Sequence, residues 1–208
     1  MTLSTWFSLF TLCLMGAIFP GASLAVVLRN TLNHSRLHGA ITGIAHAIGL
    51  GCYALLSVLG LVLVLQQSPL LFKTLSYLGA VYLLWLGYQG ITATVTPQAA
   101  DTQNVPQQRI AVWNAARDGL LIALLNPKVG LYFLAIFSPF INAAMSLTDK
   151  AIFVSTITLV DGSWYVLVAT ALSQGKALLW LKRHQQWIER ALGSLLIVLA
   201  VHIFLIGV

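Results

Sequence analysis

Ionic groups are scarce in this chain. Charged residues make up 8% of its 208 positions and only five are acidic, against roughly 25% charged in an average soluble domain. A soluble protein of this size needs a polar shell, and there are too few charges here to build one. Hydrocarbon is therefore the expected solvent for most of the surface. Cysteine is scarce too: Cys13 and Cys52 both lie inside apolar runs, which excludes a disulfide framework and reads as small packing residues. No HExxH, no phosphate-binding glycine loop and no carboxylate cluster occurs, so neither metal nor cofactor is expected, and the chain is not read as an enzyme. A basic start to the first apolar run is also lacking, which argues against a cleaved signal peptide and for a retained first helix.

What is present is 59% hydrophobic residue, arranged in long runs. About 20 residues cross about 30 Å of hydrocarbon, and six runs reach that length, at about 4–28, 39–65, 69–93, 118–141, 147–172 and 186–207. Between the third and fourth lies a stretch rich in Gln, Thr and Pro, read as a hydrophilic linker. The expectation is an all-α integral membrane protein, 1–208 forming one membrane domain. Residues 1–93 make a first three-helix repeat, 94–117 a cytoplasmic linker and 118–208 a second repeat.

The net charge of +6 suggests nucleic acid until the charges are located. Lys and Arg fall singly between apolar runs, with no basic stripe interleaved with aromatics, so no nucleic-acid partner is expected. One set of loops carries Arg29, Arg36, Arg109, Arg117, Lys176, Lys182, Arg183 and Arg190, and the other only Lys73 and Lys150. That bias makes the first set cytoplasmic and places both termini outside, in the periplasm. Three spans per half turn the second half upside down relative to the first, the inverted-repeat plan of many secondary transporters. Leu78-Gly79-Ala80 parallels Leu192-Gly193-Ser194, and Phe19-Pro20-Gly21 parallels Asn126-Pro127-Lys128.

Those last two motifs interrupt the first and fourth spans. Proline removes a backbone donor and clashes with the preceding turn, so each helix is expected to break at Pro20-Gly21 and Asn126-Pro127. A half-helix N-terminus exposed there carries unpaired N–H groups and partial positive charge, which suit a carboxylate. A plain proline kink is the alternative. Lys128 lies roughly 16 Å along a helix from Arg117, and Asp161 is about as deep from Lys150. Charges at the centre cost about 2.5–3.5 kcal/mol each on insertion scales. We expect Lys128 and Asp161 to face a polar cavity and exchange partners with substrate or proton; a structural ion pair is the alternative. His46 in the second span either serves a proton pathway or packs against a helix carbonyl. Ser23 and His46 would make a nucleophile and base, but the sequence shows no third group to support them. Gly39, Gly43, Gly49 and Gly51 are read as close-packing positions, and glycine faces also permit a homodimer. Trp6, Trp113, Trp180 and Trp187 fall near span ends, where an interfacial belt is expected. Tyr82, Trp85, Trp164 and Tyr165 lie deeper, where they either line a cavity or, in the preferred reading, pack.

Taken in order, several motifs have a familiar form: Phe19-Pro20-Gly21, Val27-Leu28-Arg29-Asn30, the stretch from Tyr77 to Gly87, Asn126-Pro127-Lys128, Asp161 with Trp164-Tyr165, and Gly193-Ser194-Leu195. The set resembles the lysine-exporter (LysE/RhtB) family of bacterial amino-acid exporters along nearly the whole chain. The resemblance implies a small multi-pass exporter of the inner membrane, carrying amino acids or close derivatives outward against protons. It further implies that the Pro20-Gly21 and Asn126-Pro127-Lys128 breaks form the substrate region. Joined with the reading of the polar residues above, the expected substrate positions are Pro20, Gly21, Ala22, Asn126, Pro127, Lys128 and Asp161, and the expected proton-coupling groups are Asp161, Lys128 and His46. Two positions depart from the family pattern: Ala22 replaces a frequent second proline, and His46 stands where small apolar residues are usual. A channel or helper subunit without carrier activity is the alternative function, and an intramembrane enzyme a more distant one.

Overall fold

The computed structural model describes residues 1–19, 21–92, 111–126, 129, 133, 140–141, 144–172 and 175–206. Pro20, Pro127, Lys128 and most of the expected linker lie outside the described residues, as does much of the fourth expected span beyond Asn126. Among the described residues the chain is all-helical, with seven α-helices and no strand. They are α1 (Leu3–Ile18), α2 (Ala22–Asn33), α3 (Arg36–Gln67), α4 (Pro69–Thr92), α5 (Val112–Leu125), α6 (Leu147–Leu167) and α7 (Gly175–Ile206), with a π-helical turn at Val168–Leu172 following α6. Three stretches, Arg36–Gly60, Leu147–Ala171 and Arg183–Leu205, are long and apolar enough to cross a membrane, and α1 with α2 makes a fourth if counted as one bent span.

Local chemistry sets the boundaries. Thr2 caps α1, its hydroxyl accepting from the Thr5 N–H at 3.2 Å. Ser146 and Asp149 form a reciprocal capping box at the start of α6, satisfying two N–H groups that a helix end leaves open. The α-amino group of Met1 pairs with Asp149, which brings the starts of α1 and α6 together. At the other end of α1, the residue before a proline is pushed out of the helical region. Phe19 accordingly takes φ −58° and ψ 120°, and α2 leaves at 58° to α1. Asn126, which also precedes a proline, ends α5 in extended conformation.

α3 is the hub, packing on α2, α5 and α6. Its glycines are where it does so, as expected. A Cβ added at Gly43 would sit 2.5 Å from Tyr165 Cβ, one at Gly49 2.6 Å from Ala123 Cβ, and one at Gly51 2.6 Å from Thr158 Oγ1. Going up α3 from Gly43 through Ala47 to Gly51, the partners on α6 go down from Tyr165 through Gly162 to Thr158. The two helices are therefore antiparallel. α4 and α7 form a second close pair, where Gly87 and Gly90 meet Gly193 backbone to backbone and Tyr77 stacks on Phe204 at 5.6 Å. Outward-facing positions are apolar: Leu70, Leu125, Leu147 and Leu205 are each more than 70% exposed, a surface that suits lipid rather than water.

Candidate functional site

A cavity of about 90 Å³ lies where the first helix breaks, room for about three waters at roughly 30 Å³ each. Cys13, Gly16, Ala17 and Phe19 of the first half-helix form one wall, and Gly21, Ala22 and Ser23 open the second half-helix beside it. His46 comes from α3, Asn126 from the end of α5, and Ile157, Asp161 and Tyr165 from α6. Small residues at the break keep the space open. Because α2 starts at Ala22 and its Gly21 cap makes no side-chain bond, the first N–H groups of α2 have no intrahelical partner.

His46 ties this cavity together. Its Nδ1 lies 2.8 Å from Asp161 Oδ2 and its Nε2 2.9 Å from Ser23 Oγ, while Tyr165 packs edge-on to its ring at 5.0 Å. His46 is 2% exposed and Asp161 4%. A carboxylate only accepts, so Nδ1–H donates to Asp161, which fixes the tautomer and gives the buried charge a charge-assisted partner. Three helices, α2, α3 and α6, thus meet through one imidazole.

Several expectations need correcting. His46 does not bond a helix carbonyl; both ring nitrogens bond side chains. Asp161 faces a cavity as expected, but the partner found on it is His46, whereas Lys128 lies outside the described residues. The missing third group behind Ser23 and His46 is Asp161, 115 residues further along the chain, a distance no local motif can bridge. Tyr165 lines the cavity as well as packing, whereas Trp85 is 51% exposed on the outer surface. Of the expected substrate positions, Gly21, Ala22, Asn126 and Asp161 come together around one space. Sequence reading missed Cys13 as a lining residue and paired Ser23 with His46 only as a possible nucleophile and base.

This cluster can bind and pass a proton, accept an ammonium group and offer N–H donors to an anion. Such a site in an apolar helical bundle suits a carrier. The sequence model of the LysE type translocator matches residues 14–207. The chain belongs to that family. The translocator is 30% identical over 190 residues to the uncharacterized membrane protein YahN of Escherichia coli (strain K12), covering 91% of this chain and 84% of the relative. It is 24% identical over 203 residues to a threonine efflux protein of Salmonella typhi, with 98% of each covered. It is 29% identical over 150 residues to a leucine efflux protein of Klebsiella pneumoniae, covering 70% of this chain and 69% of that one. No solved structure matches. Family and apolar helices together make the translocator a multi-pass membrane protein.

Proposed function

We propose that this translocator exports amino acids or close derivatives from the cytoplasm in exchange for protons. Family membership and relatives named for threonine and leucine efflux support amino-acid export. The buried His46–Asp161 pair beside a cavity at a helix break carries the proton-coupled reading. A pair of one carboxylate and one neutral imidazole carries charge −1 and attracts a substrate ammonium. Adding a proton brings the charge of the pair to zero and lets that ammonium go. Proton and substrate then compete, which is the requirement for antiport.

In this reading the substrate carboxylate lies against the start of α2, at Gly21 and Ala22 next to Pro20. Asn126, Pro127 and Lys128 supply the matching half from the fourth span, and Asp161 takes the ammonium. Six spans in two inverted repeats, with both termini outside an inner membrane, are the architecture proposed. The antiparallel contacts of α3 with α6, stepping evenly either side of Ala47 and Gly162, support it, because helices two and five of such repeats must cross in that manner.

A second reading has one observation in its favour: Ser23, His46 and Asp161 stand in the order of a hydrolytic triad, as an intramembrane hydrolase would need. Efflux separates the readings. Cells preloaded with a labelled panel including leucine and threonine should lose one class faster when the protein is present. That loss should vanish in Asp161→Asn and on collapsing the proton gradient. No accelerated efflux of any panel member, with the protein correctly inserted, would overturn the exporter reading.

A further inference from the structure

We infer that Ser23 is the positioning residue through which the protonation state of His46 is delivered to the bound substrate, by a reversal of its hydroxyl hydrogen bond. The inference rests on the proton-exchange reading and deepens it.

The argument begins with a donor inventory. Asp161 accepts at Oδ2 from Nδ1–H of His46, so a neutral His46 presents a bare lone pair at Nε2. Ser23 Oγ lies 2.9 Å from that nitrogen, and only Ser23 has a proton to give. The hydroxyl therefore donates to His46, leaving both oxygen lone pairs free for an outside N–H donor such as a substrate ammonium. Protonating His46 places a hydrogen on Nε2, which donates to Ser23 Oγ and occupies one lone pair. The serine hydrogen must then turn away, toward Tyr165 or the cavity. A hydroxyl carries one hydrogen, so the two arrangements exclude each other.

The same side chain thus accepts a substrate ammonium in one state and presents a hydrogen, backed by an imidazolium, in the other. Ser23 is 9% exposed, and it lines the cavity with Gly21 and Ala22 on the same half-helix. The titratable groups facing His46 are Asp161 and Tyr165 on α6. Tyr165 and Cys13 of α1 line the same cavity as Ser23. From α4, α5 and α7 the described lining residues are Leu86, Asn126 and Leu196, none of which titrates. Among the described residues the charge at this point is set by the His46–Asp161 pair, and Ser23 couples it to what binds.

The test uses purified protein in proteoliposomes, with counterflow of labelled L-leucine or L-threonine as probe, measured from pH 8 to pH 6. Wild-type KM should rise by about tenfold over that range as protons displace substrate from a histidine-centred site. Ser23→Ala, which loses one substrate contact, should raise KM at pH 8 and flatten the further rise toward pH 6 to about twofold or less, and Ser23→Thr, which retains the hydroxyl, should restore both. Ser23→Cys, with a weak donor and acceptor of similar size, should less than half restore them and guards against a misfolded alanine variant. A Ser23→Ala or Ser23→Cys protein with the full wild-type slope would overturn the role of Ser23 while leaving antiport standing. A wild-type KM that ignores pH, together with transport indifferent to a proton gradient, would overturn the antiport reading itself.

Discussion

Arg29 Nη2 sits 2.6 Å from Asp118 Oδ2, tying α2 to the middle of α5. Behind this half-exposed pair, the buried Asn30 donates through Nδ2 to the same Asp118 oxygen at 3.3 Å and to Thr42 Oγ1 of α3 at 2.9 Å. An exposed ion pair is worth about 0–1 kcal/mol, whereas a buried polar group stripped of its partner costs about 1–3 kcal/mol. Arg29→Gln should therefore lower stability by less than about 1 kcal/mol. Asn30→Leu leaves Thr42 and Asp118 short of a donor and should cost about 1–3 kcal/mol. Thermal unfolding of the detergent-solubilised protein compares the two; an equal loss would show that the salt bridge carries the junction.

The His46–Asp161 pair predicts a non-additive cycle. Removing His46 takes from the buried Asp161 the partner found on it, and removing Asp161 leaves His46 only its bond to Ser23; breaking a buried pair costs about 3–5 kcal/mol. Replacing both with well-packed apolar residues is often neutral, so His46→Leu with Asp161→Leu should be nearly as stable as wild type while failing to transport. Unfolding midpoints of the two single variants and the double variant read the coupling directly. Additive losses would mean that the pair is not a mutual partnership in the membrane.

Close helix contacts make a third prediction. A methyl group at Gly119 would overlap the backbone carbonyl of Thr42, and neither side can yield, while among the described residues nothing lies within 4 Å of the same position at Gly60. Gly119→Ala should cost about 1–3 kcal/mol as an overpacked contact. Gly60→Ala should be neutral or gain up to about 1 kcal/mol from helix propensity. Folded yield and unfolding temperature of the two variants, side by side, decide it.

A fourth prediction concerns the triad order at Ser23. A nucleophilic serine forms a covalent adduct with a fluorophosphonate, whereas a serine that only relays a hydrogen bond does not. Incubation of the folded protein with such a reagent should leave Ser23 unmodified in intact-mass and peptide spectra. Labelling at Ser23 that disappears in His46→Ala would favour the hydrolase.

Much of the fold could be read from the chain because lipid imposes a coarse rule on sequence. Apolar runs at 39–65, 69–93 and 147–172 became α3, α4 and α6 within a few residues, and the break expected at Pro20-Gly21 separates α1 from α2. The glycine face of α3 was equally legible, since small residues at these positions have little use other than close approach. The site was legible only in pieces. Asp161 and His46 each stood out as polar groups in an apolar run, yet nothing in local spacing says that α3 and α6 cross at that level. The reading looked for a partner on the neighbouring span, at Lys128, which lies outside the described residues, and so did not bring His46 to Asp161. Ser23 was paired with His46 in the sequence only as a possible nucleophile and base, because the third residue facing them, Asp161, comes from a distant helix.

The antiparallel crossing of α3 and α6 has a mechanical consequence. Contacts run from Gly43 with Tyr165 at one end to Gly51 with Thr158 at the other, and the midpoint at Ala47 and Gly162 is one residue from both His46 and Asp161. When two crossed rods rock, their ends sweep the largest arcs and the fulcrum stays nearly still. The imidazole and carboxylate sit at that fulcrum. A bond held there survives a swing of either helix that would tear apart the same bond placed near a helix end.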